Sequence, residues 1–133
     1  HPILRGVRDV RGPTDVYTVG QLTGCPEILL EGQVLPGMDP SDAPKPDTPT
    51  MPLAWTNQYT GDENRTSRVF CTTMGAAPDL MCSDLRRLLV NAAYWCLEEP
   101  IDGTAPVEPV GGFDPTYFGF GTHKKGQRPS DYS

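Results

Sequence analysis

Five prolines, at 36, 40, 44, 46 and 49, fall within one short stretch and are interspersed with Asp39, Asp42 and Asp47. Proline fixes φ and removes a backbone donor, so neither a helix nor a central strand can run through 36–50. That stretch is predicted to be an exposed loop or insertion, and regular structure must lie on either side of it. Fifteen prolines and fourteen glycines among 133 residues also keep the hydrophobic fraction to 37%. A chain of this length suits one domain at most.

Before the loop, 15–19 reads as a short β-branched and aromatic strand bounded by Gly20. The run 27–35 reads as a second strand. Its continuous apolar centre, Ile28 to Leu30, suggests burial on both faces. After the loop, 51–59 and 67–74 read as strands joined by the polar turn 61–65, hence a hairpin. Leu85, Leu88, Leu89, Ala92 and Cys96 then recur at helical spacing, with Ser83 as the expected cap and Pro100 as the stop. From Pro100 onward the chain is turn-rich, and its aromatics are expected to dock on the domain without regular structure. The final residues, 127–133, are expected to fray. One antiparallel sheet with one helix is one architecture compatible with this order.

The formal charge is −6, and the Lys and Arg residues do not cluster among aromatics, so no nucleic-acid partner is expected. No run approaches the roughly 20 apolar residues of a membrane-spanning helix. Cys25, Cys71, Cys82 and Cys96 show no C-x-x-C spacing, and Cys71 and Cys96 read as buried thiols. With no H-E-x-x-H or EF-hand pattern either, no metal and no cofactor are expected. The segment from Gly121 to Gly126 begins like a phosphate-binding loop, but Gln127-Arg128 breaks the pattern and no strand precedes it. No G-x-S-x-G elbow is present.

Several segments in order resemble the ThuA-like (trehalose utilisation) family. They are His1-Pro2-Ile3 with Gly6-Val7, Asp15-Val16-Tyr17, the stretch from Met51-Pro52 through Ala54-Trp55-Thr56, the run from Arg68-Val69-Phe70 through Thr72-Thr73 to Gly75, and the helix from Arg86-Arg87 to Trp95. The tail, with Thr116-Tyr117-Phe118 and Pro129-Ser130-Asp131, is similar to tails of a bacterial subgroup of that family. The resemblance implies an α/β fold: a flavodoxin-like, three-layer α/β/α domain of the class I glutamine amidotransferase-like kind. This chain would be its C-terminal portion, with 1–99 belonging to the domain and 100–133 an irregular tail packed on it. The missing N-terminal part of the same domain, upstream of His1, would then be a partner of this chain. The resemblance further implies a bacterial protein acting in carbohydrate utilisation on trehalose or a related disaccharide or keto-sugar. The compartment is left open, with the periplasm and secretion among the alternatives, because a targeting signal would lie upstream of His1. Amidotransferase relatives use a cysteine nucleophile, yet none of the four cysteines sits in a G-x-C-x-G elbow. Ala76 also stands where many members carry a histidine after the T-T strand.

The candidate catalytic residues are His1, as general base, and Asp15, as acid. For His1 the competing role is a cap that holds a loop. Trp55, which can stack on a sugar ring or fill the core, is a candidate substrate-binding residue. Thr72, Thr73 and Gly75, with hydroxyls and backbone N–H groups at a strand end, are the others. His123, in the glycine-rich tail, reads as solvent-exposed. The alternative to turnover is a non-catalytic sugar-binding or protein-interaction module that keeps the fold without the nucleophile.

Overall fold

A computed structural model describes residues 1–37, 39–117 and 125–132. The protein is mixed α/β, with one three-stranded antiparallel sheet and one α-helix among the described residues. The strands are β1 (Glu27–Gly32), β2 (Met51–Thr60) and β3 (Thr66–Thr72), in the order β1-β2-β3. The helix α1 spans Ser83–Cys96. Short 3₁₀ turns occupy Pro2–Leu4, Ala77–Met81 and Pro129–Tyr132. Among the described residues, no helix is long and apolar enough to cross a membrane.

The β2–β3 hairpin follows the expectation from sequence, in continuous register from Ala54↔Thr72 to Thr60↔Thr66. Its turn closes with Gly61 N–H donating to Arg65 C=O at 3.0 Å, and Asn64 takes a left-handed φ of 58°. Helix α1 also falls where the stripe places it. Leu85, Leu88 and Ala92 are buried against Ala54 and Ile3, with Phe70, Leu89 and Trp95 packed around them. Each such buried aliphatic side chain contributes roughly 1.5–3 kcal/mol. The cap residue is Cys82 rather than Ser83, and Glu98, left-handed at φ 61°, ends the helix ahead of Pro100.

Other expectations need correction. The segment 15–19 is extended but joins no ladder. Val16 lies against Gly32 and Leu53, and Thr18 Oγ1 reaches Met51 Sδ at 3.4 Å, so it crosses the outer face of the sheet instead of pairing with an edge. Strand β1 stops at Gly32 and is an edge strand, with Ile28 40% exposed. Register shifts around Leu30 break its pairing to β2, which is why an apolar run did not yield a doubly buried strand. The described part of the 36–50 loop contains neither helix nor strand, as expected. In the tail, Tyr117 is 77% exposed, and Pro129–Tyr132 forms a 3₁₀ turn. The expectations for Phe118, Gly121 and His123 lie outside the described residues. The parallel strands and second helical layer of a flavodoxin-like domain are not found among the described residues.

The sheet has two unlike faces. Even-numbered β2 residues Ala54 and Thr56 face the core and are buried with α1. Odd-numbered residues of β2 point the other way, because side chains alternate along a strand.

Polar side chains of α1 fasten the irregular ends of the chain. Asn91, 1% exposed, donates from Nδ2 to Ile3 C=O and Arg5 C=O, both at 2.8 Å. Asp84 accepts the N–H groups of Arg8 and Asp9 at 2.8 and 2.7 Å. On the other side, Arg86 Nε donates to Val107 C=O at 2.7 Å, and Arg87 Nη2 to Ala105 C=O at 2.6 Å.

Candidate functional site on the outer sheet face

Trp55, Asn57 and Tyr59 are spaced two residues apart on β2, so they share the face opposite α1. Val69 and Cys71, their neighbours on β3, pair with Asn57 and Trp55. These residues, with Thr23, Gly24 and Gln58, line an open groove of about 410 Å³. That is within the usual size range of small-molecule sites, about 300–1,000 Å³. Asn57 builds one wall by donating from Nδ2 to Thr23 C=O at 2.8 Å. Gly24, at φ +83°, lets that loop approach. A Cβ there would come within 3.0 Å of Asn57 Oδ1. Trp55 is half-buried in the floor, and Tyr59 is 63% exposed on the rim. The result is an aromatic platform with amide, hydroxyl and carbonyl groups around it. Such a surface suits a ligand with apolar faces and polar edges. Trp55 is therefore a surface-lining residue rather than a core one, and Cys71 is a half-buried groove residue rather than a sequestered thiol.

The other sequence candidates lie elsewhere. His1 caps the first 3₁₀ turn, its Nδ1 accepting Ile3 N–H at 3.2 Å. Its ring meets Trp95 edge-on at 5.1 Å, near the C-terminal end of α1. Asp15 is exposed. Its neighbour Thr14 is tied by its hydroxyl to both carboxylate oxygens of Asp79, at 2.8 Å each, on the turn that leads into α1. His1 and the Thr14–Asp15 segment thus attach near opposite ends of α1, whose length from Ser83 to Trp95 is about 18 Å. They do not form one constellation.

The strand-end turn is internally committed. Thr72 Oγ1 donates to Leu53 C=O at 3.0 Å and accepts Met74 N–H at 3.2 Å. The N–H groups of Gly75 and Ala76 both donate to Asp79 at 3.1 Å. Thr73 Oγ1 is buried with no hydrogen-bond partner. Gly75 is favoured by its φ of 152° and not by crowding, since a Cβ there would meet open space.

Sequence reasoning missed Asp79, which is fully buried and organises this turn. An aspartate after Pro78 looks like an ordinary first-turn residue, and its partners at Thr14 and Gly75 are distant or backbone. Asn57 and Tyr59 were also missed, although their two-residue spacing from Trp55 carried the signal.

A second groove of about 390 Å³ lies beside Met81, Arg86, Glu108 and Phe113. Its one strong donor is already used. Arg86 binds Leu80 C=O, Met81 C=O and Val107 C=O, and its Nη2 meets Glu108 at 3.1 Å. Among the described residues, no group of three or more His, Cys, Asp or Glu could hold a metal ion. No family model matches this chain, and no curated protein or solved structure matches it.

Proposed function

We propose that this protein is a non-catalytic carbohydrate-binding module whose binding face is the outer sheet groove. The observation that carries this reading is the Trp55–Asn57–Tyr59 row on an open face, with the Thr23–Gly24 wall beside it. A sugar ring presents apolar C–H faces to an aromatic ring and hydroxyls to surrounding amides and carbonyls. The ThuA-like resemblance supports disaccharides or keto-sugars as the ligand class. Its three-layer flavodoxin-like architecture would need parallel strands in addition to β1–β3, and the binding reading does not depend on them. Binding is favoured over turnover because His1 and Asp15 are held apart, and because Thr72 and the Gly75 N–H are occupied within their own turn.

The test is thermal unfolding against a panel of disaccharides and keto-sugars, for the wild type and for Trp55→Ala. A ligand at 100 times its Kd that binds only the folded state adds about 2.7 kcal/mol. A saturable rise in Tm with one sugar class, lost in Trp55→Ala, is the expected result. A melt that no sugar moves, or a shift that survives Trp55→Ala, would remove the groove as the site.

A further inference from the structure

The two edges of the sheet are built differently. Strand β1 carries Glu27 and Glu31, follows Pro26, and is irregular around Leu30. Charges, proline and bulges of this kind keep an edge from pairing. Strand β3 has no proline and no bulge. It is seven residues long and in unbroken register with β2. Its sole charge, Arg68, is drawn away onto α1. There Nη1 donates to Trp95 C=O at 2.9 Å, and the guanidinium lies 5.0 Å from the Trp95 ring centre.

The hydrogen-bond phase of β3 follows from two contacts. Thr73 N–H donates to Leu53 C=O, and Gly61 N–H donates to Arg65 C=O. Both pairs join odd-numbered residues, and bonded and non-bonded pairs alternate along an antiparallel ladder. The odd residues of β3 therefore bond to β2, while Thr66, Arg68, Phe70 and Thr72 direct their backbone N–H and C=O groups to the outer edge, which no other strand among the described residues pairs. Those four positions are symmetric about Val69.

We infer that β3 pairs with β3 of a second copy of this chain, antiparallel and centred on Val69. In that register Thr66 meets Thr72 of the other copy, Arg68 meets Phe70, and Val69 meets itself. Every outward N–H finds a carbonyl, all seven residues are used, and no like charges stand opposite. The two sheets become one of six strands, with the two outer grooves on the same face. The inference rests on the edge alone and is independent of what the groove binds.

Sedimentation velocity over a concentration series tests it, with Arg68→Pro and Arg68→Ala. Both variants lose the guanidinium, but only proline removes the outward N–H, which β2 does not use. The wild type and Arg68→Ala are expected to dimerise as concentration rises, and Arg68→Pro to remain a monomer with an unchanged circular-dichroism spectrum. Amide exchange supplies a second readout that needs no variant. The Phe70 amide should gain protection with concentration, while the Val69 amide is protected throughout. A wild type that stays monomeric with a Phe70 amide exposed at every concentration overturns the inference. So does a dimer that survives Arg68→Pro, or one lost equally in Arg68→Ala.

Discussion

Individual residues of this protein hold turns and chain ends, and they do so by hydrogen bonds that can be removed one at a time. Gly75→Ala is a clean case, because the site has space for a methyl group and only the backbone conformation resists it. The substitution is expected to cost about 1–3 kcal/mol, read as a drop in the denaturation midpoint with unchanged m-value. Asp84 gives a pH-dependent example. The N–H groups of Asp9 and Arg8 hold its carboxyl below the usual carboxylate range, aided by the nearby Arg8 and Arg87 charges. Its pKa in the fold is thus lower than the unfolded value of about 3.9. The stability it supplies is complete above that value and is lost as pH falls through the lower folded one. Asp84→Asn should therefore be less stable than wild type at neutral pH, with the difference shrinking below about pH 4. Equilibrium denaturation of both proteins across that range checks this. A difference that is constant with pH would mean that the carboxylate charge plays no part.

Secondary-structure elements show which sequence patterns were legible. Helix α1 could be read because its stripe is amphipathic and its core residues are the ones the stripe names. Leu88 is fully buried at its centre, and Leu88→Ala is expected to lose about 2–5 kcal/mol, measurable by chemical denaturation. The hairpin could be read because a polar turn separates two β-rich runs. The run 15–19 has the same local composition as a strand but ends up crossing a face, since Val16 finds an apolar contact at Gly32 and Leu53 rather than a free edge. Local propensity cannot distinguish these outcomes, because a ladder depends on which neighbour is in reach. The same limit applies to 27–35. Its apolar residues suggested a central strand, and only the tertiary arrangement made β1 an edge. At the candidate site Trp55 was legible as a ring, but its use depends on which face of β2 receives α1. The partners of Asp79 are likewise a property of the folded chain.

The whole molecule is a small core with long irregular segments tied to it. Among the described residues the core cluster is five hydrophobic side chains, Ile3, Ala54, Leu85, Leu88 and Ala92, so much of the chain depends on polar ties to α1. Arg86 is the main tie for the segment after Pro100, through Val107 C=O and Glu108. Arg86→Ala should leave the hairpin intact but speed proteolytic cleavage between 101 and 117, seen as new fragments at unchanged sheet content by circular dichroism. Equal cleavage in both proteins would mean that other contacts hold that segment. The two faces of the sheet divide the work, with the α1 face supplying the core and the opposite face left open around Trp55. The most direct measurement of that face uses Trp95→Phe, which leaves Trp55 as the one indole, titrated with trehalose and related disaccharides or keto-sugars and followed by fluorescence. A saturable change in Trp55 emission with one sugar class is the expected result. Emission that no sugar alters, in a protein that still unfolds cooperatively, would contradict a carbohydrate site on this face.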